Sequence, residues 1–340
     1  MKSKNQLKCA FIKGETMLKS LQNDEKPQRS PMVCEDVLSS VLSDNTRIAY
    51  AKGWGLWEKF CATTGACPLP AQPEDVAGFL VEMATRPGVR GKLPALGTVV
   101  LWRSAINRKH VEANLKSPTN HPKVTGVCKG LARIRGTRIR RVKALREFHI
   151  KAMLKRCAKT PIGLRDAAII ALGFAAALRR SEICGLTVDD LEMMEGEEYP
   201  KMFLHIRKSK TDQHGQGQRI AVPEGENLRP ISRLKRWLRI SGISRGPVYQ
   251  TMSRGGGLRG SPMHHSDIPR LIKHYAGLIG LDPAEVAGHS LRAGFVTSAA
   301  VYQARLDKIM EITRHRNPAT VIKYIRDADS FTDHAGKRFL

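Results

Sequence analysis

The chain lacks any hydrophobic run long enough to span a bilayer. Its longest, AAIIALGFAAAL at 167–178, falls about eight residues short of the ~20 that a crossing needs. The first thirty residues mix Lys, Asn, Gln, Glu and Ser with no long apolar stretch, so no signal peptide is expected and 1–33 reads as a mobile tail. Paired cysteines are missing as well. The seven stand at 9, 34, 61, 67, 128, 157 and 184. None forms C-x-x-C, and none stands beside histidine at zinc-ligand spacing, which argues against a disulfide framework or a zinc module. They are expected to be buried free thiols in a reducing cytoplasm. There is no internal repeat and no low-complexity tract. The glycine-rich stretch SRGGGLRGSPMHH (253–265) lacks the G-K-[ST] of a nucleotide loop. It reads as a flexible loop, and no nucleotide cofactor is expected.

Negative charge is scarce. Lysine and arginine number 57 against 31 acidic residues, a formal charge of +26. Such an excess repels itself in a compact fold, and a polyanionic partner relieves it. The phosphate backbone of double-stranded DNA is the favoured partner, with an acidic membrane surface as the rival. What remains is ordinary: 340 residues, 41% of them hydrophobic, suffice for two domains with two cores.

Between 34 and 136 the apolar spacing is helical and no strand alternation is visible. SDNTRIAYAKGWGLWEKFCATTG (43–65) opens on a Ser/Asp cap, with Ile48, Trp54, Trp57 and Phe60 at roughly helical spacing. Further helices are predicted over 68–84, 96–114 and 121–136. A dense basic stretch, RIRGTRIRRVKALR (133–146), follows; residues 137–145 are read as a linker lying along a phosphate backbone. The second half differs. Helices are predicted at 146–157 and 162–178, the latter apolar nearly all round and so central. Two strands, 201–210 and 218–223, flank the turn TDQHGQG. A helix opened by a Ser/Asp cap covers 266–280, and two more fall near 290–304 and 318–328. The expected architecture is mainly α with a small β-sheet in the C-terminal domain. Its parts are a tail (1–33), a helical DNA-binding domain (34–136), the linker, and a catalytic domain (146–340).

Three fragments of that second half carry chemistry. ALRRSEICGL (177–186) holds Arg179 and Glu182. GHSLRAG (288–294) holds His289 and Arg292. TRHRNPATVIKYI (313–325) holds His315 and Tyr324. Each pattern alone is commonplace, since R-x-x-E is usually a helix-surface ion pair and a tyrosine near a C-terminus usually packs. Together and in this order they resemble the tyrosine recombinase (phage integrase) family, most closely its Cre-type members. The resemblance is strong over 145–330 and one of general layout before that. It implies a two-domain DNA clamp that cuts and rejoins DNA through a tyrosine.

The residue types suit that chemistry. A phosphodiester under attack gathers negative charge on its non-bridging oxygens, and an arginine's planar, permanently charged fork matches them. Arg179 and Arg292 take that role. Tyrosine is a poor nucleophile because its pKa is about 10. Tyr324 therefore needs a neighbouring base, and His289, one turn before Arg292, is placed to take or relay its proton. His315 would donate to a phosphate oxygen, and Glu182 would orient a neighbour. The resemblance puts a lysine in the β-hairpin as the acid that protonates the departing 5′ oxygen. Lys208 and Lys210 are the candidates there, and Lys210, at the turn edge, is preferred. Further DNA contacts are expected from Arg103, Arg138, Arg140, Arg141, Arg254, Arg259, His264, His265 and Arg270. The helix from 266 would enter the major groove.

No metal and no cofactor are required, because the arginines supply the charge. The resemblance implies a homotetramer holding two DNA sites, with 329–340 docking into a neighbouring copy, and a cytoplasmic, nucleoid-associated enzyme of bacterial, phage or plasmid origin. The alternatives are a type IB topoisomerase or telomere resolvase with the same chemistry, and a non-catalytic DNA-binding protein with the same fold.

Overall fold

The computed structural model describes residues 42–88, 91–136, 142–194, 200–207, 217–253 and 255–329, with side chains of the last helix described as far as 325. The tail at 1–33, residues 137–141 of the basic stretch, the hairpin turn and nearly all of the C-terminal docking segment lie outside them. The chain divides into two compact units, Met1–Ile139 and Arg140–Leu340.

The first unit is built from α1 (Asp44–Thr64), α2 (Pro73–Thr85), α3 (Leu96–Glu112), a single 3-10 turn and α4 (Pro122–Arg135). Its described residues form no strand. Ser43 caps α1, its hydroxyl accepting the Thr46 backbone N–H at 3.3 Å. Trp57, Val76, Phe79, Leu80, Val99, Ile106 and Val124 form the core. Ile48, expected on the same face as Trp57, is 68% exposed. It lies nine residues earlier, and at about 100° per residue that is the opposite side of the helix. His110 is buried beside this core. His110 Nε2 accepts the Ala71 N–H at 2.9 Å, while Nδ1 donates to the Ile106 carbonyl at 2.8 Å.

In the second unit, α5 (Glu147–Arg156) and α6 (Pro161–Ala175) are followed by the short α7 (Arg180–Gly185). Helix α6 is buried almost all round, from Ala167 to Leu172, as its composition predicts. It packs on α8 (Pro230–Ser241) through Trp237, whose indole donates to the Val248 carbonyl at 2.8 Å. A three-stranded antiparallel sheet runs β1 (Leu191–Met194), β2 (Lys201–Ile206), β3 (Gln218–Pro223). Its register pairs Met202 with Val222 and Leu204 with Ile220, so one face enters the core. Strand β1 is four residues long, too short for its alternation to stand out.

The glycine-rich stretch is not a flexible loop. Leu258–Pro262 forms β5, antiparallel to β4 (Gln250–Met252). The glycines make the turn between them: the Ser253 N–H donates to the Gly257 carbonyl at 2.9 Å, and Gly256 takes φ +83°. Helix α9 (Asp267–Leu278) is also capped differently from expectation. The Ser266 hydroxyl pairs with His264 Nδ1 at 2.7 Å, so the Asp267 carboxylate accepts the His264 N–H at 3.2 Å instead.

The chain ends its described course in α10 (Ser290–Val301), α11 (Leu306–Thr313) and α12 (Pro318–Asp329). Eight-residue α11 escaped the sequence reading. Val296, Ile309 and Val321 form a small separate core that joins these three helices, with Tyr324 and Ile325 against it. The stretch read as linker ends inside this unit. Leu145 is fully buried, and its N–H donates to the Ser290 carbonyl at 3.1 Å. The thiols divide: Cys61 and Cys184 are buried as expected, but Cys67 is exposed. Among the described residues, no helix is long and apolar enough to cross a membrane.

Candidate active site

Helix α6 ends at a sharp turn. Ala177 takes φ +47°, which swings the chain so that Arg179 and α7 start at the end of the buried helix. Glu182, on the first turn of α7, folds back. One carboxylate oxygen accepts the Arg179 backbone N–H, and the other accepts Arg179 Nη1, each at 2.7 Å. Arg179 is thereby held at a helix start with its side chain mostly buried. The Glu182 carboxylate is itself shielded from solvent.

His289 occupies the N-cap of α10, and Arg292 lies one turn inside, 1% exposed. The preceding Gly288 packs under Arg180: a Cβ there would sit 2.4 Å from Arg180 Cδ. Arg292 Nη1 donates to the Ala177 carbonyl at 2.8 Å, and Nη2 donates to the Thr313 carbonyl. It thus ties α10 to the α6 turn and to the end of α11. Burial, with the nearby guanidinium groups of Arg179 and Arg314, pulls Arg292 down to about 9, still charged at neutral pH.

The small core of α10, α11 and α12 brings Tyr324 to this place. Tyr324 Oη and His289 Nε2 are 3.3 Å apart within the same chain. Burial lowers the His289 pKa, and the charges of Arg292, Arg179 and Arg180 lower it further. The ring is neutral at neutral pH, so Nε2 is able to accept the phenol proton.

His315 stands just past α11. The Thr313 hydroxyl donates to the Ile309 carbonyl at 2.6 Å and lies 2.8 Å from His315 Nδ1. A hydroxyl has one hydrogen, so the ring donates through Nδ1, and Nε2 bears the lone pair. Burial first, then Arg292, Arg179, His289 and Arg314, push His315 down to about 4. The ring is therefore neutral, with its lone pair at Nε2. A cavity of about 300 Å³ opens beside it, lined by Arg219, Arg314, Arg316 and His315 among others.

Arg179, Glu182, His289, Arg292, His315 and Tyr324 thus come together. One participant escaped the sequence reading. Arg314 is buried, and its Nη2 lies 2.8 Å from Glu182 Oε2. Its neighbours in TRHRNP look like solvent-facing charge, and nothing in the pattern marks 314 as inward. Lys208, Lys210, Arg138, Arg140, Arg141 and Arg254 lie outside the described residues. Arg103 reaches Asn120 Oδ1 at 3.5 Å within its own unit. Arg259, His264, His265 and Arg270 are exposed, and Arg270 pairs with Asp267 at 2.5 Å. Among the described residues, no three His, Cys, Asp or Glu side chains gather as metal ligands.

Known proteins share this arrangement of sequence. Residues 143–330 match the model of the phage integrase family. An integrase/recombinase xerD homolog of Selenomonas ruminantium is 32% identical over 335 residues, covering 96% of this chain and 94% of that one. The recombinase cre of Escherichia phage P1 is 22% identical over 306 residues, 84% of each chain. Among solved structures, the fold is similar to XerH site-specific recombinase bound to a palindromic difH substrate. That match has a TM-score of 0.59 and 16% identity, covering 78% of this chain and 72% of the other. It is also similar to a lambda integrase dimer bound to a COC' core site, with a TM-score of 0.57 and 18% identity, covering 86% and 93%. The chain belongs to the phage integrase family, the tyrosine recombinases, a family of DNA strand-transfer enzymes.

Proposed function

We propose that this chain is a site-specific recombinase in which Tyr324 attacks a DNA phosphodiester. The phenol oxygen bonds to phosphorus, the 5′ oxygen leaves, and a 3′-phosphotyrosine remains. A 5′ hydroxyl from a partner strand then reverses the step. The ester keeps the bond energy, so no nucleotide is consumed. The observation that carries this reading is the 3.3 Å approach of Tyr324 Oη to a neutral His289 beside Arg179 and Arg292.

His289 accepts the phenol proton as the bond forms. Arg179 and Arg292 hold the non-bridging oxygens as charge grows on them. The incoming phosphate raises the His315 pKa, and its Nε2–H then donates to that phosphate. Lys210 protonates the departing oxygen. The helical domain at 34–136 and the catalytic domain at 146–340 both engage the duplex. His264, His265 and Arg270 contact base edges or phosphates, and Arg103, Arg138, Arg140, Arg141, Arg254 and Arg259 are further DNA-binding residues. The active assembly is a homotetramer on two sites, joined through 329–340, working in the cytoplasm at the nucleoid. XerH site-specific recombinase, solved with its difH substrate, and lambda integrase, solved on a COC' core site, support a DNA partner.

The test is a nicked suicide duplex carrying a site recovered by selection from a random DNA library. The protein forms a covalent adduct visible on a denaturing gel, and Tyr324→Phe forms none. An adduct with the phenylalanine variant contradicts the assignment. A plasmid with two such sites then separates recombination, which deletes the intervening segment, from topoisomerase-like relaxation, which does not.

A further inference from the structure

Arg314 has no part in the chemistry above, yet it is built into the centre of the site. Its side chain and that of Glu182 are each 1% exposed, at an Nη2–Oε2 distance of 2.8 Å. Nη1 donates to the Ile312 carbonyl at 2.8 Å and to the Ala176 carbonyl at 3.2 Å. Nη2 also donates to the Ala177 carbonyl at 3.1 Å, the same oxygen that anchors Arg292. The backbone at 314 takes φ +57°, a region that favours glycine. A long charged side chain is held there, turned inward.

Glu182 explains why. Its carboxylate holds Arg179 through two bonds, and alone it would cancel the charge of the arginine that it positions. Opposite charges this close in a buried site interact strongly. With Arg314 present, one carboxylate is shared between two guanidinium groups. Arg179, Arg292 and Arg314 against Glu182 leave two positive charges facing the phosphate. Removing Arg314 leaves one.

We propose that Arg314 is a positioning residue for strand cleavage: it grips the far side of Glu182 and offsets its charge, so that Arg179 is held in place while the cluster keeps its net positive charge toward the scissile phosphate. This inference rests on the recombinase reading above. It acts through Glu182 and not by touching DNA, and that makes a distinctive prediction. Glu182 helps catalysis when Arg314 is present and harms it when Arg314 is gone.

The experiment measures single-turnover cleavage of the selected suicide duplex by wild type, R314G, R314K, E182Q and the R314G/E182Q double variant, with thermal melts on each. Glycine suits the left-handed backbone at 314. R314G is expected to melt cooperatively and to cleave on the order of tenfold to a hundredfold more slowly. R314K keeps the charge and restores part of that loss. E182Q slows the wild type but speeds R314G. If R314G cleaves at the wild-type rate, or if Glu182→Gln slows both backgrounds alike, the inference is overturned. Should R314G fail to fold, R314K and E182Q decide: an R314K rate as low as that of E182Q overturns the charge argument. Absence of any adduct with wild type overturns the recombinase reading itself. An adduct with wild type that is indifferent to position 314 overturns only the role of Arg314.

Discussion

At the scale of single residues, the site is a set of charges kept from neutralising one another. The two imidazoles remain uncharged because they are buried and guanidinium groups surround them, and this has a consequence for stability. The ordinary histidine value is 6.5, whereas folded His315 titrates at about 4 and His289 is also lowered. Between those limits the unfolded chain binds protons that the folded chain refuses. Stability is therefore fully present above 6.5 and declines as pH drops toward 4. Thermal melts across that window in the absence of DNA should show a falling Tm, and His315→Gln should flatten the slope. An unchanged slope in that variant would mean that its ring is not held neutral by the site.

At the scale of elements, the site depends on close approach between helices. Gly294, on α10, faces the backbone at Leu145. A Cβ at 294 would lie 1.9 Å from the Leu145 carbonyl oxygen. That contact is backbone and has nowhere to move, so Gly294→Ala is expected to cost about 1–3 kcal/mol in a denaturant titration. Helix α12 shows a subtler dependence. It reaches α10 through Val321, fully buried in the small core that also touches Tyr324. Val321→Ala removes buried methyl groups and costs about 1–2 kcal/mol locally. Because that core is separate from the larger one, adduct formation should slow while the main unfolding transition shifts little. Equal loss in both measurements would show that α12 is part of one cooperative unit. Helices this long and periodic were legible from residue spacing, as α3 and α6 show. Strand β1 and helix α11 were not, because four and eight residues carry too few repeats for a period to stand out.

At the scale of the whole molecule, the formal charge of +26 governs how the protein meets its substrate. Each phosphate that it neutralises releases condensed counterions. The logarithm of DNA affinity should fall linearly with the logarithm of salt concentration, with a slope of about 0.9 per neutralised phosphate. Tyr324→Phe leaves those contacts in place, so a filter-binding or anisotropy series should give it the wild-type slope. A slope near zero would mean that the excess charge serves some other partner.

The amino-acid sequence by itself determined the helical first unit, the buried α6 and the two main strands of the sheet, and it singled out six side chains, Arg179, Glu182, His289, Arg292, His315 and Tyr324, that the fold brings together. Those features are written in local periodicity and in residue chemistry, which survive without knowing any long-range contact. Tertiary structure decided the rest. The glycine-rich 253–257 stretch became a hairpin turn because its two flanks pair. His315 is held neutral because it is buried and three arginines lie around it. Arg314 joined the site because a left-handed backbone turned it toward Glu182, a residue 132 positions away. A residue's charge state and direction follow from what surrounds it in space, and neighbours in space are what a linear pattern does not contain.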